Sequence, residues 1–400
     1  MLTALGVLPI MLIGALAPFA AADLDFSEFE LGLGVSLFFV VSAVTSVPAG
    51  RLVERLGSYA SGWIAGIVST AALVALGLAA SSSITMMLLV GLSGIGNAFG
   101  QLSANLAIAR AVPSQRQGLA FGIKQAAVPL GSLIGGMAVP LVALTVGWRW
   151  AFAIAPLMFL MWLVTSPRAP IRSTSQSGSF SPRVVPYRTL VVLAGAVALG
   201  SAGGAALATF LVSSAISIAV PPAVAGLLLA LGSALGLTTR VIVGWAADRM
   251  MTHPLNVVAV LMGFGGVGMM LLGSTSIAIL LVGVVVGFSA GWGWNGLLNY
   301  AVVRDNPDAP ARATGITQAG LYVGGIAGPL LFGLVVEQVS YQAAWLMAGG
   351  FLFSAAMLVR LRPKAELAAN MMDAADRHSV GSSATLSGPG ERPASSVRNR

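Results

Sequence analysis

Gly50-Arg51-Leu52-Val53-Glu54-Arg55-Leu56-Gly57 sits where a long apolar run breaks into polar sequence. It has an echo in Gly244-Trp245-Ala246-Ala247-Asp248-Arg249. Each copy reads glycine, three residues, an acid, an arginine, and the two lie 194 positions apart. A short polar motif that repeats after nearly half a chain points to a duplicated unit with the same joint in each copy.

Around this joint the chain is apolar. Hydrophobic residues make up 57% and charged residues 8% of the 400 positions, against about 25% charged residues in soluble domains. The bilayer is therefore the expected solvent. There is no cysteine, which excludes disulfides and thiol chemistry, and the two histidines, His253 and His378, lie outside the apolar runs. A net charge of +8 could suggest nucleic acid. The basic residues instead fall at the ends of apolar runs, as membrane topology requires, and no nucleic-acid partner is expected.

A spanning helix needs about 20 mostly apolar residues. Twelve runs qualify: 2–22, 31–50, 59–80, 84–110, 117–141, 148–166, 189–213, 222–246, 255–273, 277–303, 313–336 and 340–360. They are continuous rather than alternating, which excludes a barrel. Leu2–Ala22 ends in a passable signal-peptide cleavage site, Ala20-Ala21-Ala22. It lacks a basic leading segment, so it is expected to be retained as the first span. With that span pointing outward, fourteen basic residues between Arg51 and Lys364 fall on one side and Arg149 alone on the other. Both termini are then cytoplasmic, in a multi-pass cytoplasmic-membrane protein. Acids occupy the opposite loops: Asp23, Asp25, Glu28, Glu30 and Glu337.

The expected fold is all-α, with twelve transmembrane helices in two pseudo-symmetric six-helix halves. The N-terminal half is 1–166, a cytoplasmic linker rich in Ser, Pro and Arg is 167–188, the C-terminal half is 189–362, and a disordered tail is 363–400. Two further echoes support the duplication. Asn105, Arg110 and Pro113 recur as Asn299, Arg304 and Pro307, again 194 apart. Gly122, Ile123, Gln125 and Ala126 recur as Gly315, Ile316, Gln318 and Ala319, now 193 apart. Gly131 and Gly135 map onto Gly324 and Gly328 with the same offset.

With these features together, residues 1–362 resemble the major facilitator superfamily. Gly50-x3-Glu54-Arg55-x-Gly57 is similar to that family's signature after the second helix, and Gly244-x3-Asp248-Arg249 to its weaker copy after the eighth. Two departures stand: Glu54 replaces the usual aspartate, and Ser58 and Tyr59 stand where a basic cluster often follows. The resemblance implies halves that rock about a central site. It further implies that runs 1, 4, 7 and 10 line a cavity, with 2, 5, 8 and 11 at the interface between halves.

The joint itself has a physical reading. Glu54 lies at the C-terminal end of run 2, where the helix already carries partial negative charge. It needs a partner, either Arg55 or the positive N-terminus of run 11 near Arg312–Gly315. Asp248 would mirror this against run 5. Gly50, Glu54, Arg55, Gly57, Gly244, Asp248 and Arg249 are thus gating candidates. The alternative is a pair of exposed charges that only fixes topology.

Inside the spans, Lys124 lies about 12 Å deep at 1.5 Å per residue. A charge at that depth is costly and marks a functional candidate, here an anchor for an anion. Snorkelling to the surface or pairing with a backbone carbonyl is the plain alternative. Arg240, at a similar depth, is a second anion contact or a member of the Asp248 cluster. Asn97 and Gln101, with Asn105, form one stripe on run 4. Trp292 and Asn295, with Asn299, form another on run 10. Gln125, Gln318 and Tyr322 add polar groups. Each suits either substrate binding or interhelical hydrogen bonding. The glycine series from Gly122 and from Gly315 resembles a pattern linked with exporters, although its presence in both halves favours close packing.

No Asp, Glu or His lies within a span away from its ends, so a carboxylate proton relay has no obvious place. No nucleophile–base pair, metal cluster or phosphate loop stands out. No enzyme, cofactor or metal is expected. The sequence reads as a secondary active transporter moving a small organic solute, an organic anion, by alternating access. Drug or metabolite export, and a non-transporting sensor of the same fold, are the alternatives. The expected partners are a small-molecule substrate, the lipid bilayer and a coupling proton or counter-anion, with the chain acting as a monomer.

Overall fold

The structure, a computed structural model, describes residues 1–112, 117–165, 187–247, 249, 252–306 and 310–362. The linker up to residue 186, the tail 363–400 and Asp248 lie outside the described residues.

Among the described residues, eleven helices are long and apolar enough to cross a membrane. One of them, Glu28–Ala79, has 52 residues and would measure about 78 Å at 1.5 Å per residue, more than twice a bilayer core. Gly57 divides it. Its φ of 82° and ψ of 168° belong to a region open almost only to glycine, and nothing within 4 Å would meet a Cβ there. The second glycine of the joint is therefore present for its backbone, not for space. The two arms are 28–56 and 58–79, so the described residues make twelve crossings.

We label them α1 (Leu2–Leu24), α2 (28–56), α3 (58–79), α4 (Ser83–Ala111), α5 (Leu119–Ala143), α6 (Trp148–Thr165), α7 (Tyr187–Ser217), α8 (Pro222–Ala247), α9 (Pro254–Leu272), α10 (Ile277–Asp305), α11 (Pro310–Gln338) and α12 (Tyr341–Leu361). The fold is all-α in two six-helix halves. Interfacial ends are capped. The Ser27 hydroxyl accepts from Glu30 N–H at 3.2 Å while the Glu30 carboxylate accepts from Ser27 N–H at 2.9 Å, a capping box that starts α2 in the acidic loop. Ser340 caps α12 through Ala343 N–H at 3.2 Å.

α1 is apolar on every side and is buried from Thr3 to Ala17, as an all-round hydrophobic helix must be. The outward faces of other helices expose Val44, Ile67, Leu78, Val164 and Phe264. Such a surface suits lipid and not water.

The glycine series packs helix on helix within each half. A Cβ at Gly135 would stand 2.8 Å from Met11 O of α1, and Gly324 and Gly328 press on the Ala198 and Ala202 carbonyls of α7. Between the halves, α2 faces α11 and α5 faces α8. On the acidic side both seams close backbone on backbone. Gly32 meets the Pro329 carbonyl, while a Cβ at Gly136 would stand 2.6 Å from Gly226 O. The duplication is visible here, because Gly32 and Gly226 are 194 apart and Gly136 and Pro329 are 193 apart.

Candidate functional site

A cavity of about 130 Å³ lies between the halves, lined from α1, α2, α4, α5, α7, α8, α10 and α11. The structure brings all nine sequence-derived binding candidates to its wall: Asn97, Gln101, Lys124, Gln125, Arg240, Trp292, Asn295, Gln318 and Tyr322. Sequence reasoning missed Phe38, Phe39, Ser201 and Thr209, which also line it. Single Phe, Ser and Thr residues inside apolar runs give no signal of their own.

The cavity is polar at one end. Gln101, Lys124, Gln125, Arg240 and Asn295 sit in the helix halves nearer the arginine-bearing face and Asn97 at the middle of α4, whereas Val35, Phe38 and Phe39 come from the half of α2 nearer the acidic face. Most of its polar groups already hold one another. Asn97 Nδ2 donates to Ser42 Oγ at 3.1 Å, and Gln101 Nε2 reaches Asn97 Oδ1 at 3.5 Å. Gln125 Nε2 donates to Asn295 Oδ1 at 3.2 Å, which also accepts from Asn299 Nδ2 at 3.3 Å. The Trp292 indole donates to Gly204 O at 2.9 Å. Asn105 differs from its mate Asn299: its buried Oδ1 has no partner among the described residues.

The two cations differ in the same way. Arg240 is buried, donates from Nε to Trp292 O at 2.9 Å and from Nη1 to Gln125 O, and lies over the Trp292 ring at 5.5 Å. Lys124 is half-buried on the wall and makes no hydrogen bond or ion pair with any described residue. Among the described residues, no carboxylate lines the cavity. Its one unengaged charge is therefore an ammonium group, in surroundings where an anion would be its natural counterpart.

The acidic face above the cavity is shut. Glu337 of α11 accepts the Phe29 N–H at the start of α2 at 2.9 Å, a free first-turn donor met by a carboxylate. Tyr341 O–H donates to Glu28 Oε1 at 2.6 Å. The opposite face is looser. Arg51, Glu54 and Arg55 are exposed, and Glu54 pairs with no described residue. A Cβ on Gly50 or Gly315 would meet nothing within 4 Å. Glu54 therefore makes no pair with a described residue of α11 in this conformation. On the second copy, Gly244 lies close to Gly122, 3.9 Å from the position of its Cβ, and Arg249 stacks on Trp245 at 4.3 Å.

The sequence profile described as Major Facilitator Superfamily matches residues 1–316. The chain belongs to the major facilitator superfamily. It is a multi-pass membrane protein of a transporter family, not an enzyme. It is similar to a chloramphenicol resistance protein of Streptomyces lividans, with 26% identity over 370 residues, 89% of this chain and 92% of that one. An uncharacterized MFS-type transporter of Mycobacterium tuberculosis (strain ATCC 25618 / H37Rv) is 26% identical over 268 residues, 62% of this chain and 58% of that one. Among solved structures, a D-xylose-proton symporter superposes with a TM-score of 0.72 at 17% identity, covering 90% of this chain and 96% of that one. A bacterial homolog of the human lysosomal transporter Spinster, inward-facing and occupied, gives 0.69 at 16% identity over 90% and 94%. At these identities the two structures support the fold alone.

Proposed function

We propose that this chain is a secondary active transporter that moves a small organic anion with an apolar portion, by alternating access, with its arginine-bearing face in the cytoplasm. The observation that carries this reading is Lys124, an ammonium group with no partner among the described residues, on a cavity wall to which those residues bring no carboxylate. An anionic head would meet Lys124 and the amides around it, while its apolar portion would lie toward Phe38 and Phe39. Drug-sized ligands occupy pockets of roughly 300–1,000 Å³, so a cavity of about 130 Å³ favours a smaller solute. The coupling ion on this reading is a proton or a counter-anion.

A second reading, export of drug-like compounds, is favoured by the full-length similarity to the chloramphenicol resistance protein. The two are separated by uptake and counterflow in proteoliposomes with benzoate and with chloramphenicol as probes. Lys124→Ala removes a charge-assisted contact, with a free-energy loss of about 1.5–3 kcal/mol. That corresponds to a ~10- to 150-fold weaker apparent affinity for benzoate at unchanged protein yield. Wild-type benzoate transport in that variant would refute the anion reading. Binding without counterflow would instead mark a sensor.

A further inference from the structure

The main-chain carbonyl of Gln125 has no helical partner. In a continuous helix it would accept the N–H of residue 129, but that residue is Pro129, which has none. The bonds on either side are made: Ala126 N–H donates to Gly122 O at 2.9 Å and Leu130 N–H to Ala126 O at 3.1 Å. The freed carbonyl is met from the other half of the molecule by Arg240 Nη1. The Gln125 side chain crosses as well, to Asn295. One residue of α5 is thus tied twice to the C-terminal half.

On the other seam, Ser46 Oγ and Tyr322 O–H lie 2.9 Å apart. The duplication puts the two ties in register. Ser46 and Arg240 are 194 positions apart, as are the halves of the Gly50 joint, while Pro129 and Tyr322 are 193 apart, as are the glycine series. The positions correspond but the bonds do not. A hydroxyl pair is a neutral hydrogen bond with a net contribution of about 1 kcal/mol, and a guanidinium on a carbonyl contributes roughly twice that. Beyond the ties, toward the arginine-bearing face, α5 and α8 stay together: a Cβ at Gly122 would lie 3.7 Å from Arg240 O. Beyond Ser46 and Tyr322, Gly50 and Gly315 face open space.

We infer that solute passes between the cavity and the arginine-bearing face by parting α2 from α11, while Arg240, held on the carbonyl that Pro129 frees, keeps α5 fastened to α8. Arg240 and Pro129 are then positioning residues of the transport cycle. The inference rests on the transporter reading but not on the class of solute, and its test uses no substrate.

The chain has no cysteine, so single thiols can be placed at will. Gly315→Cys and Gly122→Cys proteins in lipid nanodiscs, with both faces open to solution, are labelled with a charged maleimide. The expected rate at 315 is at least tenfold the rate at 122. Arg240→Gln and Pro129→Ala each raise the rate at 122 about tenfold, the effect of one lost charge-assisted bond. The double variant goes no further than either single, because both remove the same bond. Arg240→Lys, which keeps one donor for the carbonyl, leaves the rate at 122 low, and Ser46→Ala does not change it. Equal rates at 315 and 122 would overturn the choice of seam. An unchanged rate at 122 in Arg240→Gln, or an equal rise in Arg240→Lys, would overturn the fastening.

Discussion

Gly136→Ala tests the glycine crossing that shuts the acidic side. The added methyl carbon would stand 2.6 Å from both Ala230 N and Gly226 O. These are backbone atoms on α8 and have no rotamer into which to retreat, so α5 and α8 must part. Overpacking of this kind costs about 1–3 kcal/mol. Alanine also gains about 1 kcal/mol of helix propensity over glycine, but that gain applies in every conformation and cancels from the balance between them. The clash is relieved only where the acidic face opens, so the open population should rise ~5- to 150-fold. Ser233, 0% exposed and paired with Ser132 across the same seam at 2.9 Å, reports on it. In a Ser233→Cys background, maleimide labelling in nanodiscs should accelerate by that factor on Gly136→Ala. Gly32→Ala, at the matching crossing with α11, should act in the same direction. Gly263→Ala, whose Cβ would meet nothing within 4 Å, should raise thermal stability and leave labelling unchanged. Equal labelling in all three would refute the claim that glycine contacts, and not the polar groups at the surface, keep this face shut.

Two further outcomes are expected at the Gly50–Gly57 joint. Glu54 pairs with no described residue in this conformation, and its proposed work is to hold α2 against the N-terminus of α11 when that face closes. Glu54→Gln should therefore raise labelling of a thiol placed at 315, and an unchanged rate would reduce Glu54 to a topology charge. Gly57→Ala forces a residue with a Cβ into φ 82°, at a cost of about 1–3 kcal/mol. Its melting temperature in detergent should fall, and a wild-type value would show that the turn between α2 and α3 tolerates a Cβ.

The spans and nine residues of the cavity wall were legible because both depend on side-chain polarity. An apolar run of the right length and a Lys or Asn within it are unusual against lipid, and the bilayer leaves such groups few places to go. The break in α5 was half legible. Pro129 was visible in the sequence, and a membrane helix can absorb such a residue, but which group serves the freed carbonyl is a tertiary fact. Ser46 was hidden for a different reason: it stands in the run Ser42-Ala43-Val44-Thr45-Ser46, and small hydroxyl residues are common in spanning helices and bear no charge. The repeat register would have found it, since an offset of 194 from Arg240 leads directly to Ser46. The boundary of α2 was obscured by continuous helix on both sides of Gly57, where only the backbone turns.

The two faces of the molecule use the duplication in opposite ways. On the acidic side, Gly32 on Pro329 and Gly226 on Gly136 are the same contact made twice, so both seams resist opening by the same steric means. On the arginine-bearing side, the corresponding positions hold a serine and an arginine, and their partners are a tyrosine hydroxyl and a bare carbonyl. Identical seams would leave the halves free to part along either edge. Unequal ties bias the motion toward the α2–α11 edge, where Arg51, Arg55 and Arg312 stand exposed. Positive charge at that mouth would draw an anion toward Lys124 in a salt-dependent way. On the proposed anion reading, the departure from two-fold symmetry at Arg240 and Lys124 would supply both the direction in which the cavity opens and the sign of the charge it receives.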